Sequence, residues 1–212
     1  VLFPIWIIFL TTQGGKNFKS LSAAANKNLL KIKLGFDDKS AKKIKAIESR
    51  TNHDVKAVEY FIRDEMSKYS NLKKYQHLVH FALTSEDINS LSYAVLLRNA
   101  IDIYLKKLNA LIKDLGTKSK SWASIPVLAR THGQAASPSS LGKEIKVFHH
   151  RLSRQKNILK KIKPLAKFGG ATGNFHTLDL ADSGIDWLSK TKKFLSLFRV
   201  DQNPMTTQIE PH

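Results

Sequence analysis

Residues 84–115, TSEDINSLSYAVLLRNAIDIYLKKLNALIKDL, decide the fold. Ile88, Leu91, Ala94, Leu97, Ile101, Leu105, Leu108, Ile112 and Leu115 recur at spacings of three or four. That period lines one face of an α-helix, and the run is longer than an average globular helix. Its start is marked too. Thr84 with Asp87 three residues on has the form of a capping box, which satisfies amides that a helix start leaves unpaired. No stretch elsewhere alternates convincingly as a strand. The expected fold class is all-α, with long helices that pack on each other or on other subunits.

Upstream, Ser40 is positioned to cap a short helix carrying Ile44 and Ile47. Asn52, a residue type suited to capping, precedes a clearer helix with Val55, Val58, Ile62 and Met66 on one face. Residues 69–74 read as a break. The polar, glycine-containing stretch TTQGGKNFKSLSAAANKN (11–28) reads as loop. The opening VLFPIWIIFL (1–10) is strongly apolar but far short of the about 20 residues a membrane span needs. It also lacks the basic flank and cleavage site of a secretory signal. It is expected to be a buried first helix or strand, with no membrane partner. Downstream, Ser137 and Pro138 form an N-cap and first-turn pair for a helix with Leu141, Ile145, Phe148, Leu152, Leu159 and Ile162. That helix stops near Pro164. FGGATGN (168–174) is a turn, and a further helix carries Ile185, Leu188, Leu195 and Phe198.

The net charge of +18 and the pI near 10.0 raise the question of a polyanionic partner. The lysines are scattered through nearly every segment, and aromatics do not interleave with them as a base-stacking platform. They read as a solvated surface, and no nucleic-acid partner is expected. The chain has no cysteine, which excludes disulfides and thiolate metal sites and is consistent with a cytoplasmic protein. His53 and His80 lack the spacing of a helical zinc site, and Gly169, Gly170 and Gly173 do not follow a strand as a phosphate loop would. No metal or cofactor is expected.

Four polar clusters interrupt the helical pattern: TNHDVKAVEYF (51–61), HFALTSEDIN (80–89), RTHGQ (130–134) and TTQIEPH (206–212). Each falls at or near an expected helix end, where unpaired N–H groups can receive an anion. Taken singly, each has a structural explanation: a cap at Asn52, a capping box at Thr84, a hydrogen-bonded histidine at His53 or His132. Taken in order, together with the longer run RTHGQAASPSSLGKE (130–144), they resemble the motifs of the bacterial adenylosuccinate lyase family, within the fumarase/aspartase superfamily. The resemblance runs from about Ala41 to His212. It implies a small helical N-terminal domain (1–83) followed by the first part of a long-helix central bundle (84–212). It also implies a C–N lyase of purine and AMP biosynthesis. Such an enzyme releases fumarate by β-elimination from adenylosuccinate, giving AMP, or from the succinylated carboxamide ribotide. The related alternatives are another fumarate-releasing lyase, such as an argininosuccinate lyase, or a non-catalytic basic helical protein that binds nucleic acid.

By resemblance, His132 falls where the family has its general acid, a role suited to a group titrating near neutrality. Asn52, His53 and Asp54 align with a substrate-binding triplet, Thr84 and Ser85 with substrate-binding hydroxyls, and Gln208 with a substrate-binding amide. Thr131 beside His132 is a weaker member, and His80 weaker still. The family assembles shared active sites in a homotetramer. Its amino-terminal Arg-Tyr pair and its serine-bearing loop, the source of the general base, have no counterpart here. The chain is therefore expected to be truncated at both ends and inactive alone.

Overall fold

The computed structural model describes residues 2–209. Helix accounts for 64% and strand for 8%, so the all-α expectation holds. The elements run α1 (Leu2–Gln13), α2 (Ala23–Leu34), α3 (Asp38–Thr51), α4 (Asp54–Ser67), a 3-10 helix (Ser70–Leu78) and the 37-residue α5 (Ser85–Ser121). There follow β1 (Pro126–Thr131), β2 (Gln134–Ser140), α6 (Leu141–Leu159), β3 (Leu165–Ala166), α7 (His176–Ala181), α8 (Trp187–Ser196) and β4 (Asp201–Gln202). Among the described residues, no helix is long and apolar enough to cross a membrane.

Two compact units emerge. The first joins residues up to Val95 with those from Pro164 onward. Its core forms around α1, which buries Phe3, Trp6, Ile7, Phe9 and Leu10. This helix is apolar nearly all round: Leu2, Ile5 and Ile8 on its remaining face are half-buried, and the exposed Thr12 and Gln13 lie at its end. Trp6 stacks on Phe9 and meets Phe168 and Phe194 edge-on, at centroid distances of 5.2 and 5.1 Å. Its indole N–H donates to Phe81 O at 3.0 Å, so the one polar atom of the ring is satisfied in the core. Each such side chain, once buried, contributes roughly 1.5–3 kcal/mol. The buried first helix expected from the apolar decamer is therefore observed, apart from Val1, which lies outside the described residues.

The second unit, Leu96–Lys163, holds the later part of α5, a two-stranded ribbon and α6. Leu108 and Ile112 of α5 are buried, whereas Leu97, on the expected apolar face but within this unit, is 51% exposed. The ribbon pairs β1 with β2 antiparallel, from Pro126 opposite Ser140 to Thr131 opposite Gln134, with an irregularity between Leu128 and Arg130.

Four local expectations are corrected. Residues 126–131 and 134–140 are strands; none of their side chains is buried, and apolar and polar residues do not alternate along them, so the sequence carries no period of two. Pro138 lies in β2 opposite Leu128, and the cap of α6 is Ser140, whose hydroxyl accepts the Lys143 N–H at 3.2 Å. Asp37, not Ser40, caps α3, and its carboxylate accepts the Ser40 N–H at 2.8 Å. The expected loop at 11–28 is helical at both ends and a loop only between them: α1 runs through Gln13, and α2 begins at Ala23, capped by Ser22 and anchored by buried Ala25, Leu29 and Ile32.

Candidate active site

The α3–α4 junction is built by two residues with opposite backbone habits. Asn52 adopts the left-handed conformation, φ 50°, which asparagine tolerates better than most residues. It ends α3 with its N–H on Glu48 O at 2.8 Å, so it is a C-cap and not the cap of the following helix. His53 is extended and caps α4: its Nδ1 accepts the Lys56 N–H at 3.2 Å. A ring nitrogen that accepts carries no proton, which places the ring proton on Nε2. That nitrogen faces the hydroxyl of Ser85 at 3.4 Å, across 32 residues of sequence. Asp54 Oδ1 stands 3.4 Å from His53 Nδ1 but takes the Val55 N–H at 2.7 Å, so its closer partner is the helix start.

Ser85 opens α5. Just before it, the Thr84 N–H donates to Asp87 Oδ2 at 2.8 Å, and the Asp87 N–H donates back to Thr84 O at 3.1 Å. Half of the expected capping box is present: the Asp87 carboxylate reaches back to the Thr84 N–H, while the Asp87 N–H goes to the Thr84 carbonyl and not to its hydroxyl. An open concavity of about 630 Å³ lies beside this junction, lined by Lys45, Glu48, Ser49, Asn52, His53 and Asp54.

Behind His53 sits a buried carboxylate that sequence reasoning passed over. Glu59, 1% exposed, meets Lys56 Nζ and Arg63 NH2 at 2.9 Å each and His80 Nδ1 at 3.5 Å. The i−3 and i+4 placement of Lys56 and Arg63 was its only sequence signal. Burial pushes the His80 imidazole below its ordinary value, with Lys56 and His53 adding to the effect; the Glu59 and Asp87 carboxylates oppose it. Among the described residues, the second ring nitrogen of His80, Nε2, has no hydrogen-bond partner although it is buried.

In the second unit, Thr131 and His132 occupy the tip of the ribbon. His132 at φ 52° and Gly133 at φ 74° form a two-residue connection with both positions left-handed, as the tightest hairpin turn requires. Thr131 Oγ1 lies 3.0 Å from His132 Nδ1, and both side chains are exposed. Gln208 is exposed within residues 203–209, and the remainder of its motif, 210–212, lies outside the described residues. Of the candidates, then, His53 and Ser85 are in contact, with Asn52, Asp54 and Thr84 as their chain neighbours. Thr131 and His132 form a separate pair, and Gln208 enters neither set of hydrogen bonds. Among the described residues, no three His, Asp or Glu side chains are grouped to hold a metal ion.

A protein-family model described as "Lyase" matches residues 11–212. The chain belongs to this lyase family. Among curated members, the adenylosuccinate lyase of Haemophilus influenzae is 43% identical over 192 residues, covering 90% of this chain and 42% of that protein. The adenylosuccinate lyase of Escherichia coli K12 is 40% identical over 201 residues, covering 93% and 43%. That of Buchnera aphidicola from Acyrthosiphon pisum is 43% identical over 178 residues, covering 84% and 39%. The chain thus spans about two fifths of the length of these relatives. The crystal structure of 3-carboxy-cis,cis-muconate lactonizing enzyme from Pseudomonas putida superposes with a TM-score of 0.73 over 97% of this chain and 45% of that one, at 17% identity. At that identity the likeness concerns the fold alone.

Proposed function

We propose that this chain supplies the N-terminal domain (1–83) and the first part of the central bundle (84–212) of an adenylosuccinate lyase. Such an enzyme converts adenylosuccinate to AMP and fumarate, and the succinylated carboxamide ribotide likewise, as a cytoplasmic homotetramer with shared active sites. The observation that carries the reading is the contact of His53 Nε2 with Ser85 Oγ. It joins two motifs that the sequence holds far apart, at a helix start.

The chemistry follows from that arrangement. A base removes a proton from the carbon beside a substrate carboxylate, and the charge spreads onto that carboxylate. Donors fixed in advance stabilise it: the Thr84 and Ser85 hydroxyls, placed at the positive end of α5. His53 holds the Ser85 hydroxyl in place, and Asn52, Asp54 and Gln208 bind the remaining polar groups of the substrate. The C–N bond then breaks, the electron pair goes to nitrogen, and His132 protonates it. The Thr131 hydroxyl at Nδ1 orients that ring, leaving Nε2 as the nitrogen that delivers the proton. The general base is not assigned to a residue of this chain.

The test is fumarate release from adenylosuccinate by the folded product of the complete gene, with a His132→Gln version beside it. General acid–base catalysis is worth about 10²–10⁴-fold, so a loss of at least a hundredfold in kcat is expected. A folded product that leaves adenylosuccinate intact overturns the reading.

A further inference from the structure

We propose that Asp87 and Lys167 are positioning residues of the candidate site, a buried ion pair that fixes the Thr84–Ser85 start of α5 against residues 165–170. The kinetic consequence rests on the lyase reading; the geometric one does not.

The pair is unusual in its burial. Both side chains are 0% exposed, and Lys167 Nζ lies 2.6 Å from Asp87 Oδ1. Both side chains are also tied to the surrounding main chain. Asp87 accepts from Thr84 N at 2.8 Å and Gly169 N at 3.1 Å, and from Gly170 N through both oxygens. Lys167 Nζ also donates to Gly170 O at 2.5 Å, and the Lys167 N–H donates to the buried Ser90 hydroxyl at 3.0 Å. One carboxylate therefore ties the helix start to a segment 80 residues further along the chain.

Stability alone does not account for such a pair. Removing two charges from water is costly, and well-packed apolar replacements of buried pairs are often as stable or more so. What an apolar pair cannot do is hold an N–H in a set direction. Thr84 donates to the carboxylate oxygen whose orientation Lys167 and the Gly169 and Gly170 amides determine, and the next residue carries the hydroxyl that meets His53. Freeing Thr84 shifts Ser85 relative to His53, and hydroxyls that bind a substrate carboxylate move with it.

The experiment uses the product of the complete gene carrying Asp87→Leu with Lys167→Met, which removes both charges together and leaves no unpaired ion. Amide hydrogen exchange of a peptide spanning Thr84 and Ser85 is followed beside KM and kcat for adenylosuccinate. The expected result is a helical protein whose Thr84 exchange rises at least tenfold while α3 and α4 stay within twofold. KM is expected to rise at least tenfold, more than kcat falls. A merely structural pair would lower Tm and leave KM unmoved. Wild-type exchange at Thr84 and wild-type KM in the folded double variant overturn the proposal. Should the double variant fail to fold, Asp87→Asn decides the question by the same exchange measurement: increased exchange at Thr84 supports the proposal and unchanged exchange overturns it. An inactive wild-type protein sinks the lyase reading, and exchange at Thr84 then decides by itself whether the pair positions the helix start.

Discussion

Replacing Gly142 by alanine sets two effects of opposite sign against each other. In an exposed helix interior the change stabilises by about 1 kcal/mol, because glycine loses more backbone freedom on folding. Gly142, however, is buried in the first turn of α6. A Cβ there would stand 2.3 Å from Ser119 O, 2.6 Å from Ala123 Cα and 2.7 Å from Ala123 N. All three are main-chain atoms, so no side chain can swing away. Ordinary contact begins at 3.4 Å, and relief therefore needs a separation of about 1 Å between the end of α5 and the start of α6. That movement pulls on two hydrogen bonds, Gly142 N–H to Trp122 O and Leu141 N–H to Ile125 O, both 2.9 Å. Overpacking costs about 1–3 kcal/mol, and weakening the two bonds adds about 1 kcal/mol. Set against the helix-propensity gain, the expected net loss is about 2 kcal/mol. Because the ribbon bearing His132 springs from this latch, its base should loosen as well. Urea unfolding followed by circular dichroism measures the loss. A variant more stable than the parent by about 1 kcal/mol would refute the close approach of α5 and α6.

Gly133 offers the opposite case: nothing lies within 4 Å of its absent Cβ, and φ is 74°. Gly133→Val should cost only backbone strain, about 1–2 kcal/mol, and Gly133→Asn much less, as thermal melts of the pair would show. Trp6→Ala removes a fully buried ring from the first unit. It should cost about 3–5 kcal/mol, read as a fall in Tm. His80 is held below its ordinary value of 6.5, chiefly by burial. The folded ring stays neutral where the unfolded one takes up a proton, so stability is full above about pH 6.5 and falls as pH drops through the folded value. His80→Asn should flatten that part of a plot of Tm against pH; an unchanged slope would show that other groups set it.

The long helix, the buried opening helix and the start of α5 were legible because burial on one side, or on most sides, leaves a pattern in the residues. The ribbon was not. The strands at 126–131 and 134–140 bury no side chain fully, so no apolar–polar alternation marks them, and Pro138 argued for a helix start nearby. The one usable signal was His132-Gly133, a glycine in the second position of a two-residue turn. In the site, motif order marked both His53 and Ser85 as substrate-binding, but only folding brings them to 3.4 Å. Lys167 was hidden for a different reason. In a chain with 35 Lys and Arg, one more lysine reads as surface, and nothing local distinguishes the one that is fully enclosed. Asp87 was read as a local cap, which it is; its second duty to residues 167–170 depends on a return of the chain that no local pattern encodes.

The covering of α1 also has a consequence in time. Trp6 and Phe9 rest on Phe168 and Phe194, residues made roughly 160 to 190 positions later. At ordinary synthesis rates that is a delay of about 10 to 40 s. Throughout it, the most apolar helix of the protein has α2, α4 and residues 80–81 beside it but lacks the aromatic side chains that complete its cover. A nascent chain of this kind is a natural client for holding chaperones, and its yield in a cell should depend more on their supply than on the strength of the finished core.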